Sequence, residues 1–125
     1  MVEPPTHVAD VMTSPVETVS AQATVREAAG LMRTGGFSAL LVPGSTTGIV
    51  TSTDVLDVVA TGKDPDVIDV ATVMTAPVEC VTTRLGLNEV AAMMTNYEIN
   101  HLPVIGDDRD YIGIVSATDL RETLV

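Results

Sequence analysis

The sequence repeats itself. Val11-Met12-Thr13-Ser14-Pro15-Val16-Glu17-Thr18-Val19 returns 62 positions on as Val73-Met74-Thr75-Ala76-Pro77-Val78-Glu79-Cys80-Val81. The same shift carries Val25, Glu27, Ala29 and Met32 onto Leu87, Glu89, Ala91 and Met94. Gly48-Ile49-Val50-Thr51-Ser52-Thr53-Asp54 then returns as Gly113-Ile114-Val115-Ser116-Ala117-Thr118-Asp119, now 65 positions on. The three extra residues fall in 106–110, a hairpin-loop composition. A tandem duplication restricts the chain to two pseudo-symmetric halves, residues 1–62 and 63–125, each too small to bury its apolar faces well alone.

Each half reads as strand, helix, strand, strand, helix. Val16–Val19 and Val78–Val81 are short extended pieces. Val25, Ala28, Ala29 and Met32 fall at helical spacing, as do Leu87, Val90, Ala91 and Met94. Thr24 and Glu27 suggest a capping box for the first of these helices, Gly86 a plainer N-cap for the second, and Gly35-Gly36 a stop. Residues 37–42 and 99–105, then 48–51 and 113–116, read as strands. A second helix starts at Thr53-Asp54 and Thr118-Asp119, and residues 60–66 read as a linker with a turn at Asp64-Pro65-Asp66. The fold class is α+β, with the two repeats packed through their sheets around a shared core.

Composition narrows the function. Apolar residues make up 46% of the 125, yet the aromatics are only Phe37, Tyr97 and Tyr111, too few for the stacking platforms of single-strand nucleic-acid binders. Seventeen acids against six bases give a formal charge of −11, which repels phosphate backbones. No apolar run reaches the roughly 18 residues a membrane span needs, and the start lacks a charged-then-apolar leader, so a cytoplasmic location is expected. Lys63 is the single lysine. Two readings of the acidity stay open: an ordinary solvated surface, or adaptation to a salt-rich cytoplasm that screens self-repulsion.

The opening Asp10-Val11-Met12-Thr13, the later Asn100-His101-Leu102-Pro103-Val104 and the closing Gly-Ile-Val motif of each half resemble cystathionine-beta-synthase (CBS) domains. These occur as tandem pairs called Bateman modules, and the resemblance runs from about Thr6 to Val125. It implies two clefts between the repeats that take an adenosine-containing ligand of the AMP, ADP, ATP, S-adenosylmethionine or NAD type, with no cofactor required. In one cleft Asp119 would accept hydrogen bonds from the ribose diol, for which a two-oxygen carboxylate is suited. Thr118 and Ser116 would offer hydroxyls, and Thr13, Val16 and Ser38 would frame the adenine. The other cleft would use Asp54, Thr53 and Thr51 with Thr75, Val78 and Asn100.

A second reading stands beside this, because Thr and Asp at a helix start are what capping alone selects. His101, where the first half has Ala39, and Arg121, where it has Leu56, would add an imidazole and a guanidinium for phosphates at the Asp119 side only. Their alternatives are a structural hydrogen bond for His101 and surface decoration for Arg121. Near Asp54 only a helix end and hydroxyls are evident.

Cys80 has no histidine near it in sequence and reads as a small structural residue rather than a nucleophile. Asp107-Asp108-x-Asp110 lacks the glycine and distal glutamate of a calcium loop, so no metal is expected. The expectation is therefore a non-enzymatic regulatory module that senses an adenosine-containing metabolite and acts on itself or on a protein target. Val55, Leu56, Val58 and Val59 exceed what one buried helix face needs, so a homodimer is expected. The alternative is a structural dimerisation module with empty or degenerate clefts.

Overall fold

A computed structural model describes residues 6–124. The chain divides into two compact units that do not coincide with the sequence repeats. One unit is Glu17–Val78; the other joins the leading segment up to Val16 to the part of the chain from Glu79 onward.

In the first unit, α1 (Val25–Gly35), β1 (Ala39–Val42), β2 (Gly48–Thr51), α2 (Ser52–Ala60) and a short α3 (Val70–Val73) follow in order. The Thr24 hydroxyl accepts from the Glu27 N–H at 3.1 Å, but the Glu27 side chain makes no bond back, so only half of the expected capping box forms. Instead the chain after α2 supplies acceptors: the N–H groups of Val25 and Arg26 donate to the carbonyls of Ile68 and of the linker residue Pro65. These are two of the orphan donors that any helix start leaves. Arg26 also pairs with Asp66, so the expected linker is docked structure. Gly36, at φ 74°, ends α1 in the left-handed conformation, as expected.

β1 and β2 form an antiparallel hairpin in register Ala39↔Thr51 to Val42↔Gly48. Thr18 pairs in parallel with Leu41 on the outer side of β1, and Thr75 pairs antiparallel with Ile49 on the outer side of β2. The core joins Val19, Ala28, Met32, Leu40, Val42, Val50 and Val70.

The second unit copies this arrangement with β3 (Val81–Thr82), α4 (Leu87–Tyr97), β4 (His101–Ile105), β5 (Tyr111–Ser116) and α5 (Ala117–Leu124). β3 runs parallel to β4, β4 antiparallel to β5, and Thr13 pairs antiparallel with Ile114 on the outer side of β5. Its core holds Val8, from a 3-10 turn at Val8–Asp10, together with Val81, Leu87, Val90, Met94, Leu102, Val104, Val115 and Leu120. Val8 and Val70 are repeat-equivalent, and each is fully buried in the unit formed mainly by the other repeat. Burial of such a valine contributes about 1.5–3 kcal/mol. The leading segment of each repeat thus completes the other repeat's core.

Several boundaries differ from the sequence reading. β1 and β4 begin two residues later than expected, because Phe37 and Ile99 close the preceding helix ends by donating to the carbonyls of Met32 and Met94. β5 begins two residues earlier, at Tyr111. The turn at Val8–Asp10 and helix α3 were not anticipated. Finally, α2 and α5 start at Ser52 and Ala117, so the caps are Thr51 and Ser116 rather than Thr53 and Thr118.

Candidate functional site

In each unit a β-strand runs straight into a helix, and the last strand residue caps that helix. In the second unit the Ser116 N–H donates to Asp119 Oδ2 at 2.9 Å, while the Asp119 N–H donates to Ser116 Oγ at 3.0 Å. In the first unit the Thr51 N–H donates to Asp54 Oδ2 at 2.8 Å, and the Asp54 N–H donates to Thr51 Oγ1 at 3.4 Å. The capping reading of both Asp residues is therefore observed. Every bond that the two carboxylates accept falls on Oδ2; among the described residues, Oδ1 of each takes none. Both Asp side chains are half-buried, each with one acceptor oxygen fixed in place and uncommitted.

The two corners differ in a proton. The Thr51 hydroxyl donates its proton to Asp54 Oδ2 at 3.1 Å. Ser116 Oγ only accepts, so among the described residues its O–H remains able to donate. Directly across the hairpin, Ser116 faces His101, whereas Thr51 faces Ala39. Cross-strand partners project on one face with β-carbons about 5 Å apart, which places the half-buried imidazole beside the Ser116 hydroxyl.

Other expected residues fall as follows. Arg121 is exposed and donates to Thr118 Oγ1 at 3.3 Å, so guanidinium and hydroxyl hold each other on the first turns of α5. Thr53 is exposed on α2. Thr13 and Val16 belong to the unit that holds Asp119, and Thr75 and Val78 to the unit that holds Asp54. Thr13 and Thr75 are exposed, and their backbones bond to Ile114 and Ile49. Ser38 lies in the unit of Asp54, where its carbonyl accepts from the Ser52 N–H; Asn100 lies in that of Asp119, where its carbonyl accepts from the Ala117 N–H.

One residue was overlooked. A hollow of about 240 Å³ runs beside α2, lined by Asp54, Asp57, Val58, Thr61, Lys63 and Val73. It brings Lys63, read from sequence as linker, into the same space as Asp54. Its being the only lysine in so acidic a chain was the available signal.

Cys80 is half-buried; burial, and then the charge of Glu79, push its thiol above the ordinary value, which disfavours the nucleophilic thiolate. Among the described residues no group of three or more His, Cys, Asp or Glu is placed to hold a metal ion, and no helix is long and apolar enough to cross a membrane.

Paired strand-to-helix corners, repeated within one short chain, define a tandem α+β repeat architecture. The CBS domain family model matches residues 8–61 and 69–125, and the chain belongs to that family. It is 33% identical over 116 residues to the CBS domain-containing protein YhcV of Bacillus subtilis, covering 90% of this chain and 81% of that one. An uncharacterized protein of Methanopyrus kandleri is 32% identical over 119 residues; the match covers 92% of this chain but spans only 61% of that relative. The fold superposes with a TM-score of 0.84 on the CBS domain pair of protein MJ0100, solved with 5′-methylthioadenosine and S-adenosyl-L-methionine. That pair is 27% identical, with 97% of each chain covered.

Proposed function

We propose that the protein is a regulatory module that binds an adenosine-containing metabolite at the corners carrying Asp119 and Asp54. The observation that carries this is the uncommitted Oδ1 on both carboxylates, each pinned at a helix start by its own capping box. A ribose diol presents two adjacent hydroxyl donors, and a fixed half-buried carboxylate oxygen accepts them without reorganisation. The adenosyl ligands of the MJ0100 pair support the ligand class. The Asp119 corner is the better suited to a phosphate, because the Ser116 hydroxyl, His101 and the α5 N-terminus gather there. The role is one of binding, with regulation exerted through differential affinity for two conformations.

A thermal-shift screen of AMP, ADP, ATP, S-adenosylmethionine and NAD, at low and high salt, tests the class. Calorimetry on Asp119→Ala and Asp54→Ala then tests the corners. Loss of about 1–3 kcal/mol of binding in Asp119→Ala is expected. If no ligand shifts the melting temperature, the reading fails.

A second reading is favoured by one observation. Leu56 and Val59 are 66% and 60% exposed on α2, more apolar surface than a short helix ordinarily leaves in water. In this reading the module pairs with a second copy through α2, and association is its function.

A further inference from the structure

The course of the chain after α2 explains how Lys63 reaches the hollow. The N–H groups of Thr61, Gly62 and Lys63 donate back to the carbonyls of Asp57, Val59 and Val58. Gly62, at φ 76°, makes the reversal possible without steric cost. Lys63 therefore folds alongside the helix instead of leading away from it, and its side chain lines the same space as Asp54 and Asp57. The Thr61 hydroxyl is already engaged, donating to the carbonyls of Asp57 and Val58. Among the described residues the Lys63 ammonium makes no hydrogen bond or ion pair, although Asp57 borders the same hollow. An ammonium with no ion-pair partner supplies a local positive charge that is open to an anion.

We infer that Lys63 is a specificity-determining residue of the Asp54 corner and receives the distal phosphate of an adenosine polyphosphate whose ribose Asp54 holds. This rests on the reading of Asp54 given above. Asp57, one helical turn on from Asp54, repels an anion from the middle of α2, which directs the phosphate chain toward Lys63. Seven residues of helix, from Asp54 to the level of Thr61, rise about 10 Å. A di- or triphosphate spans that length, and a monophosphate does not. The hollow has room for about eight waters at liquid density, enough to admit a phosphate group.

The ordinary role of a lysine just beyond a helix end is to offset the helix dipole. A ratio of affinities separates the two roles. In the whole 125-residue chain carrying Asp119→Ala, the affinities of adenosine, AMP and ATP are measured by calorimetry with Lys63 intact, as Lys63→Gln and as Lys63→Arg. Lys63→Gln should reduce the advantage of ATP over adenosine by about ten- to a hundredfold, the worth of one charged hydrogen bond. It should leave adenosine and AMP unchanged, and Lys63→Arg should keep the advantage. Asp57→Asn should raise ATP affinity. If Lys63→Gln lowers only the melting temperature and the ATP-to-adenosine ratio stays put, the lysine is a helix-end charge and the inference is overturned. If adenosine does not bind while Lys63 is intact, or binds equally well after Asp54→Ala, the corner itself has been misread and the inference falls with it.

Discussion

Met12 lies directly over Gly113: a methyl group on that glycine would come 2.6 Å from the Met12 sulfur and 3.0 Å from the Thr13 carbonyl oxygen. The first unit repeats the contact, with Gly48 set 2.8 Å from the Met74 sulfur and 3.1 Å from the Thr75 carbonyl on the same measure. The glycine that opens each Gly-Ile-Val motif is thus needed for the close approach of the leading segment to the last strand. Gly113→Ala should destabilise the protein by about 1–3 kcal/mol, the usual cost of overpacking. Adding Met12→Ala should recover only part of that loss, since the backbone carbonyl remains in the way. Urea denaturation of the single and double variants measures the coupling.

A fragment covering residues 17–78 should fold better than one covering 1–62. The first fragment, equal in length to the second, keeps Val70 in its core and the chain after α2 on the start of α1. The fragment cut at the repeat boundary loses both, and it carries an apolar Val8 whose partners are missing. Circular dichroism and thermal melts of the two would decide this, and a cooperative transition in 1–62 alone would count against the unit boundaries.

His101→Ala should weaken ADP or ATP binding at the Asp119 corner more than adenosine binding, if the imidazole serves the phosphates rather than the nucleoside. Its cross-strand place beside Ser116 makes this specific to one corner. Equal loss for adenosine and ATP would instead make His101 a structural support for the hairpin.

Leu56→Asp combined with Val59→Asp should convert a dimer to a monomer at micromolar concentration, with little change in secondary structure, since both side chains are exposed in the single chain. Sedimentation velocity at high salt is the measurement. A wild-type chain already monomeric there removes the association reading.

The leading segment should also respond to acid. Asp10 Oδ2 accepts from the N–H groups of Thr6 and His7, each at 3.1 Å, and these bonds hold its carboxyl below the ordinary value of 3.8. A depressed value contributes stability that is present above 3.8 and lost as the pH falls through the lower folded value. Asp10→Asn should flatten the acid end of the stability profile, as read by denaturation between about pH 5 and 2.

Duplication and hydrophobic spacing made most of the architecture legible. Ala28 and Val90, Met32 and Met94, and Leu40 and Leu102 occupy matching core positions, because equal sequence patterns bury equal faces. The exchange of leading segments was not legible. Val8 and Val70 have the same sequence context, so nothing local says which of two near-identical sheets each will join. The corners were half legible: Asp54 and Asp119 stood out, but the proton that separates Thr51 from Ser116 depends on hydroxyl geometry. Lys63 escaped notice because its approach to Asp54 depends on the reversal at Gly62, a backbone feature rather than a spacing.

The exchange also sets an order on assembly during synthesis. Everything the first unit needs has been made once residue 78 leaves the ribosome. The second unit must wait for Val115 and Leu120, although the chain that carries Val8 was made first. At typical elongation rates the forty or so residues between Val78 and Leu120 take roughly two to eight seconds. Through that interval Val8 has no core to enter, so a segment made before any part of the first unit finds its place only after that unit is complete.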